Sequence, residues 1–211
     1  YLLIIVIAKV LQTEVIFLGQ GIGPIANRFD RWITQCVLMC VKKASVRSPV
    51  STLFFKNKDT CILSSDLAFF NAPAFTTKTV NQTNIALNFR DTAMESCYKD
   101  VVEMLRKKQL LVSGISFCPN SDTNVLNTAG VSSIQTITAA NFYEQSNKPY
   151  DIVVAMRYHG CVWAILQGIP FIGIVYNEKV ADIATQTEQL MISCKELNKN
   201  SQSLGELISK V

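Results

Sequence analysis

Apolar runs rich in β-branched residues alternate with amphipathic stretches along almost the whole chain, which is the pattern of βα units laid around a parallel sheet. Parallel strands are covered on both faces and so read as unbroken apolar runs, while the helices that cover them show one apolar stripe. The spacing predicts an apolar helix over 2–12 and a short strand over 14–18, ended by Gly19-Gln20-Gly21-Ile22-Gly23-Pro24. Phe29, Trp32, Ile33, Cys36, Val37, Cys40 and Val41 then recur at helical spacing. Residues 44–47 read as a strand, Ser48-Pro49 as the cap and first residue of a helix reaching about 56, and 61–63 as a third strand. From Asn71 to Asn81 the periodicity lapses into a stretch with Pro73 and several threonines, a linker signal. Two domains are therefore expected, 1–75 and 76–211.

The pattern restarts with a strand over 85–89 that ends at Arg90-Asp91. A helix follows through Met94, Cys97, Tyr98, Val101, Val102 and Leu105, with Arg106-Lys107-Lys108 in its last turn, where cations complement the helix dipole. Leu110–Phe117 reads as a strand, Cys118–Asp122 as a turn, and 123–150 as one or two short helices. Beyond these come a strand over 151–155, a helix over 158–167 closed by Gly168, a strand over 170–175 and a helix through Val180, Ile183, Ala184 and Thr187.

Composition narrows the function classes. With 49% apolar and 17% charged residues, a disordered tail, a collagen-like repeat and a coiled coil are excluded. The net charge of +4 comes from scattered lysines and arginines, so no nucleic-acid partner is expected. The apolar run Leu2–Ala8 is far shorter than the roughly 18 residues a bilayer span needs, so no stable membrane insertion is expected. Seven widely spaced cysteines read as buried free thiols of a reducing compartment, with no pairing of ligand spacings that points to a metal. Cys36 and Cys40 are expected on one helix face. The chain opens inside an apolar segment without Met, so a truncated first domain is expected, with an uncovered sheet edge prone to aggregation or homo-oligomerisation.

The chemistry concentrates in a few residues. The one histidine, His159, stands two residues after Arg157 where a strand meets a helix, and ligands of open α/β sheets bind at such carboxyl ends. Helix amides from Tyr158 to Cys161 favour an anion there, an arginine clamps a carboxylate or phosphate, and a histidine moves a proton near neutral pH. The competing reading is a helix-start histidine held by a carbonyl. Arg90 follows its strand in the same way and meets Arg157 at one edge if the strands are parallel neighbours; otherwise it is a surface loop arginine. Asn177 and Lys179 also follow a strand, so Lys179 is a third cation or a solvated helix-start lysine. The Gly19–Pro24 stretch lacks the spacing of a dinucleotide fingerprint or P-loop. Ser51 and Ser121 lack a nucleophile elbow, and Cys161 reads as helix core rather than nucleophile.

Six ordered blocks resemble the polysaccharide pyruvyl transferase family: Gly19–Ile25, Ser45–Ser51, Ser65–Phe69, Ile85–Arg90, Met156–Ile172 and Tyr176–Val180. The most specific is Met156-Arg157-Tyr158-His159-Gly160 with its downstream Gly168-Ile169-Pro170. The resemblance implies a GT-B-like α/β fold of two Rossmann-like domains facing a cleft. It implies transfer of a pyruvyl unit from phosphoenolpyruvate to a sugar hydroxyl, often as a cyclic ketal, with no cofactor and with a sugar or glycan acceptor as partner. It would make Arg90 and Arg157 holders of the donor's anionic groups and His159 the acid/base. Tyr158, Gly160, Asn177, Lys179, Gly21, Gly23 and Arg47 would bind substrate. One departure is Arg47-Ser48 where the family has Arg-Asp.

Two other functions compete: a glycosyltransferase of the same fold using a nucleotide-sugar donor, and a noncatalytic remnant of the fold. A cytoplasmic location is expected, or a Golgi lumen in a eukaryote, where Asn81-Gln82-Thr83 would be a glycosylation acceptor.

Overall fold

The computed structural model describes residues 2–23, 25–70, 84–92, 94–144 and 150–211, in two compact units, Tyr1–Asn71 and Ala72–Val211. The threonine-rich linker candidate and Asn81-Gln82-Thr83 lie outside the described residues.

In the first unit, helix α1 (Leu2–Val10) leads to strand β1 (Val15–Gln20), helix α2 (Arg28–Leu38) and strand β2 (Val41–Val46). A one-turn helix α3 (Pro49–Thr52) and strand β3 (Cys61–Leu63) follow. The three strands are parallel in the order β1-β2-β3. Ile5, Leu38, Val41, Ala44, Val46, Phe54 and Phe55 form the core. The helix expected from Ser48-Pro49 to about 56 stops at Thr52, because Phe54 and Phe55 turn inward to fill that core. Cys40 lies beyond the end of α2, so Cys36 and Cys40 are not on one helix face. Large apolar side chains, among them Leu3, Ile4, Ile16 and Leu18, stand exposed on α1 and β1.

The second unit runs β4 (Asn84–Asn88), α4 (Glu95–Lys107), β5 (Leu111–Ser116), α5 (Pro119–Thr128), β6 (Ile134–Thr136), β7 (Ile152–Ala155), α6 (Tyr158–Leu166) and β8 (Phe171–Val175). It ends with α7 (Glu178–Gln186), β9 (Leu190–Ser193), α8 (Cys194–Lys199) and α9 (Gln202–Ile208). All six strands are parallel, in the order β6-β5-β4-β7-β8-β9. Counted from β4 this is 3-2-1-4-5-6, the doubly wound order of Rossmann folds. The central pair β4 and β7 carries the most deeply buried runs, Ile85–Asn88 and Ile152–Ala155. That is why these two segments show continuous apolar character, with Asn88 the one polar interruption.

Corrections fall at the edges. Cys118–Asp122 is not a free turn: Cys118 is the extended cap, Pro119 the first residue of α5, and Asp122 lies in its first turn. The chain hides this because the turn's polar side chains resemble a loop. The edge strands β6 and β9 were not expected, since three or four half-buried residues leave no run long enough to read. Helices α8 and α9 are likewise additional to the expected elements.

Tyr98 on α4 is fully buried and stacked on Phe89 at 4.3 Å between centroids, and burial pushes its phenol up to about 12. Tyr150 is buried in the same unit and its phenol is also pushed up by burial to about 12. Both prefer the neutral form when folded, so their contribution is intact below the ordinary tyrosine value of 10.0 and is lost as pH rises toward 12. The urea midpoint is expected to be insensitive to these groups between about pH 7 and 9 and to fall above about pH 10, with a shallower fall in Tyr150→Phe. An equal alkaline fall in that variant contradicts the assignment.

Candidate active site

The chain leaves β4 toward α4 and β5 on one side and leaves β7 toward α6 and β8 on the other. The carboxyl ends of this adjacent pair, in register at Asn88 and Ala155, therefore frame the crevice where doubly wound sheets bind ligands. Arg90 and Arg157 each stand two residues beyond that register pair.

A buried polar cluster lies beneath. Asn88 and Asp122 are both 0% exposed. Asn88 Oδ1 accepts the Arg157 backbone N–H at 3.0 Å, while its Nδ2 donates to the Ile115 carbonyl at 3.0 Å and approaches Asp122 Oδ2 at 3.5 Å. Asp122 Oδ2 also accepts backbone N–H groups of Phe117 at 3.1 Å and Cys118 at 3.2 Å. The Arg157 guanidinium completes the cluster: Nε donates to both Asp122 oxygens at 2.8 Å, and Nη2 donates to Asp122 Oδ1 and to Ser121 Oγ, the latter at 3.0 Å. Burial acts to lower the Arg157 pKa, but the hydrogen bonds and negative charge of Asp122 outweigh it and the net shift is upward. Arg157 is permanently cationic.

Arg90 is held from another direction. Its Nη1 donates to the Tyr176 hydroxyl at 2.8 Å, and its guanidinium carbon sits 5.0 Å from the centroid of that ring. The Tyr98 hydroxyl lies 3.1 Å from the Arg90 carbonyl, 2.7 Å from the Thr92 hydroxyl and 3.2 Å from the Met156 sulfur, which ties the ends of β4 and β7 to α4. His159 is exposed in the first turn of α6 with its ring edge-on to half-buried Tyr158 at 5.9 Å. Gly160 is packed rather than open: an added Cβ would lie 2.9 Å from Asn88 Oδ1 and 3.2 Å from Ala155 Cβ. Its role is to let α6 approach the strands. Asn177 caps α7, its Oδ1 accepting the Val180 N–H at 3.3 Å, and Lys179 lies half-buried in the following turn.

The remaining expected site residues, Gly21, Gly23 and Arg47, belong to the first unit. There Gly19 N–H donates to Ser45 Oγ and Ile22 N–H to Ser51 Oγ, each at 2.8 Å, so two loop amides are already spent within the unit. Gly23 has φ +85°, a backbone that suits glycine, and lies against Phe54. Arg47 packs on Gly21 and forms an ion pair with Asp66. Asp66 thus pairs with Arg47 in a chain that has Ser48 where an aspartate was expected. Ser51 is a structural clamp on the loop: it accepts from the Ile22 N–H and donates to the Ile22 carbonyl at 3.1 Å.

Sequence reasoning missed Asp122, Asn88 and Tyr176 as partners of the arginines. Asn88 carried a signal, a polar residue closing an apolar strand. Asp122 carried a weaker one, an acid in the first turn after a proline. Cys161 is fully buried and its thiol is pushed up to about 12 by burial, so it is core. Of the seven thiols expected to be buried, only Cys97 and Cys161 are; Cys36, Cys40, Cys61 and Cys194 are half-buried and Cys118 is exposed. Among the described residues no group of three or more His, Cys, Asp or Glu gathers to hold a metal, and no helix is long and apolar enough to cross a membrane.

Sheet order, covering helices and the cationic carboxyl edge define a Rossmann-like α/β protein of the GT-B-like class. The chain belongs to the polysaccharide pyruvyl transferase family, whose family model matches residues 1–178. Among solved structures, a glycosyltransferase from Rickettsia africae ESF-5 is similar in fold, with a TM-score of 0.53 and 14% identity over 98% of this chain and 69% of that one. A weaker likeness, TM-score 0.46 and 11% identity, is to a structure of accessory secretory proteins 1, 2 and 3 of Streptococcus pneumoniae, over 85% of this chain and 45% of that one. No curated protein gives a significant match.

Removing the Arg157 side chain strands a fully buried carboxylate, so Arg157→Ala is expected to cost about 3–5 kcal/mol of stability. Gly160→Ala, which forces a methyl against Asn88, is expected to cost about 1–3 kcal/mol. Urea denaturation of both beside Arg90→Ala, whose half-exposed side chain strands no buried charge, checks this. An Arg157→Ala variant as stable as wild type contradicts the buried cluster.

Proposed function

We propose that the chain transfers a pyruvyl unit from phosphoenolpyruvate to a sugar hydroxyl. The observation that carries this reading is the placement of two arginines, each oriented by its own partner, two residues past the register pair of adjacent central strands. A small donor with two anionic groups, a carboxylate and a phosphate, suits two cations at one sheet edge. His159 is the acid/base. Protonation of the donor's methylene carbon develops positive charge at C2, the sugar oxygen bonds there and gives up its proton, and the C2–oxygen bond to phosphate breaks with release of inorganic phosphate. Capture of the resulting centre by a second hydroxyl closes a ketal. The acceptor is a glycan or glycan precursor, Tyr158, Asn177 and Lys179 line the same edge, and the reaction uses no cofactor.

A nucleotide-sugar donor is the second reading, favoured by the fold shared with the Rickettsia protein. Against it, the end of β5, where Rossmann folds place a ribose-binding acid, reads Ser116-Phe117-Cys118-Pro119, and the acid that follows, Asp122, is committed to Arg157.

Calorimetric titration is expected to show phosphoenolpyruvate binding more tightly than inorganic phosphate, with Arg90→Ala weakening it about tenfold or more. His159→Ala is expected to bind phosphoenolpyruvate still but to lose phosphate release on addition of a glycan acceptor panel. Binding of a nucleoside diphosphate but not phosphoenolpyruvate by the folded chain contradicts the proposal and favours the second reading.

A further inference from the structure

The two arginines at the switch point do not offer the same edge to a ligand, and the difference is built by Asp122. A guanidinium recognises a carboxylate best through the two parallel N–H groups of its Nε–Nη2 side. In Arg157 that side is consumed: Nε is on Asp122, and Nη2 is on Asp122 and Ser121. With one N–H on Nε and two on Nη2 so engaged, only Nη1 remains for a ligand. In Arg90 the arrangement is reversed. Nη1 is on the Tyr176 hydroxyl, and neither Nε nor Nη2 donates to any of the described residues. The Tyr176 hydroxyl accepts this hydrogen bond and so holds the Arg90 side chain in place without using its Nε–Nη2 side.

We propose that Asp122 is a positioning residue that, by occupying the Nε–Nη2 side of Arg157, assigns the donor's two anionic groups: the planar carboxylate to the open fork of Arg90, the phosphate to Nη1 of Arg157. The inference rests on phosphoenolpyruvate as the donor. Asp122 can serve this way because it is fixed itself, with 0% exposure and backbone N–H groups of Phe117 and Cys118 on Oδ2. Ser121 closes the second Nη2 hydrogen, so Arg157 cannot turn to present a two-nitrogen edge without breaking its contacts to both Asp122 and Ser121. A tetrahedral phosphate tolerates one-nitrogen contact because its oxygens diverge. A carboxylate gains most from two parallel bonds.

The test compares phosphoenolpyruvate with inorganic phosphate by calorimetry, in wild type, Arg90→Lys and Asp122→Asn, with thermal melts to confirm folding. Lysine keeps the charge and loses the fork. Arg90→Lys is expected to lose about tenfold in phosphoenolpyruvate affinity while phosphate changes less than about twofold, so the preference between the two ligands collapses. Asp122→Asn is expected to weaken both ligands by a similar factor and to keep the preference. If Asp122→Asn does not fold, the Arg90→Lys arm and the nitrogen-15 signal of Arg157 Nε in wild type still decide. That Nε–H is expected to be protected from solvent exchange and to persist at saturating phosphoenolpyruvate. Equal weakening of both ligands in Arg90→Lys, loss of the Arg157 Nε signal on ligand addition, or wild-type affinities in a folded Asp122→Asn overturns the assignment. A folded wild type that prefers phosphate to phosphoenolpyruvate overturns instead the donor reading beneath it.

Discussion

The fork between Asp122 and Arg157, buried at the carboxyl end of β4 and β7, is the interaction on which the second unit's functional edge depends. It joins the first turn of α5 to the cap of α6 through side chains, and Asn88 joins both to the strand between them. Taking a carboxylate out of water is expensive unless its lone pairs are filled and its charge is matched. Asp122 meets both conditions, with two backbone N–H groups, the Asn88 amide and a guanidinium around it. Its burial therefore fixes where α5 must start and how Arg157 must point.

The neighbouring residues follow from that constraint. Asn88 must reach the Arg157 backbone, so α6 must come close, and only glycine at 160 leaves room for it. Tyr98 plays the matching role on the other side, with its ring stacked on Phe89 and its hydroxyl against the Arg90 carbonyl. The result is a rigid floor of core strands with two cations placed on it by different means, a carboxylate beneath one and a phenol beside the other. Placement of this kind favours any ligand the edge receives, because orientation set before binding is not charged against the step that follows.

Much of the architecture was legible because parallel strands buried on both faces leave continuous apolar runs, as in Ile152–Ala155 and Phe171–Val175. The helices α2, α4 and α6 announced themselves by apolar spacing or by the glycine that closes them. What was not legible lay where burial is partial or polar. The edge strands β6 and β9 are too short to show a period, and Asp122 looks like any turn acid until the fold brings Arg157 to it. Arg90 and Arg157 could be picked by their place after strands, but the side chains that hold their guanidinium groups come from elements 35 residues or more away in sequence, beyond the reach of local pattern. The tight packing of Gly160 against Asn88 has no local signal in the sequence and shows only once the helix is placed.

The most direct measurement is a crystal structure of the chain with phosphoenolpyruvate bound. The account predicts the ligand at the carboxyl edge of β4 and β7, its carboxylate on Nε and Nη2 of Arg90, its phosphate on Nη1 of Arg157, and the Asp122–Arg157 fork unbroken. A ligand bound elsewhere in the unit, or an Arg157 that has left Asp122 to grip it, would contradict the account.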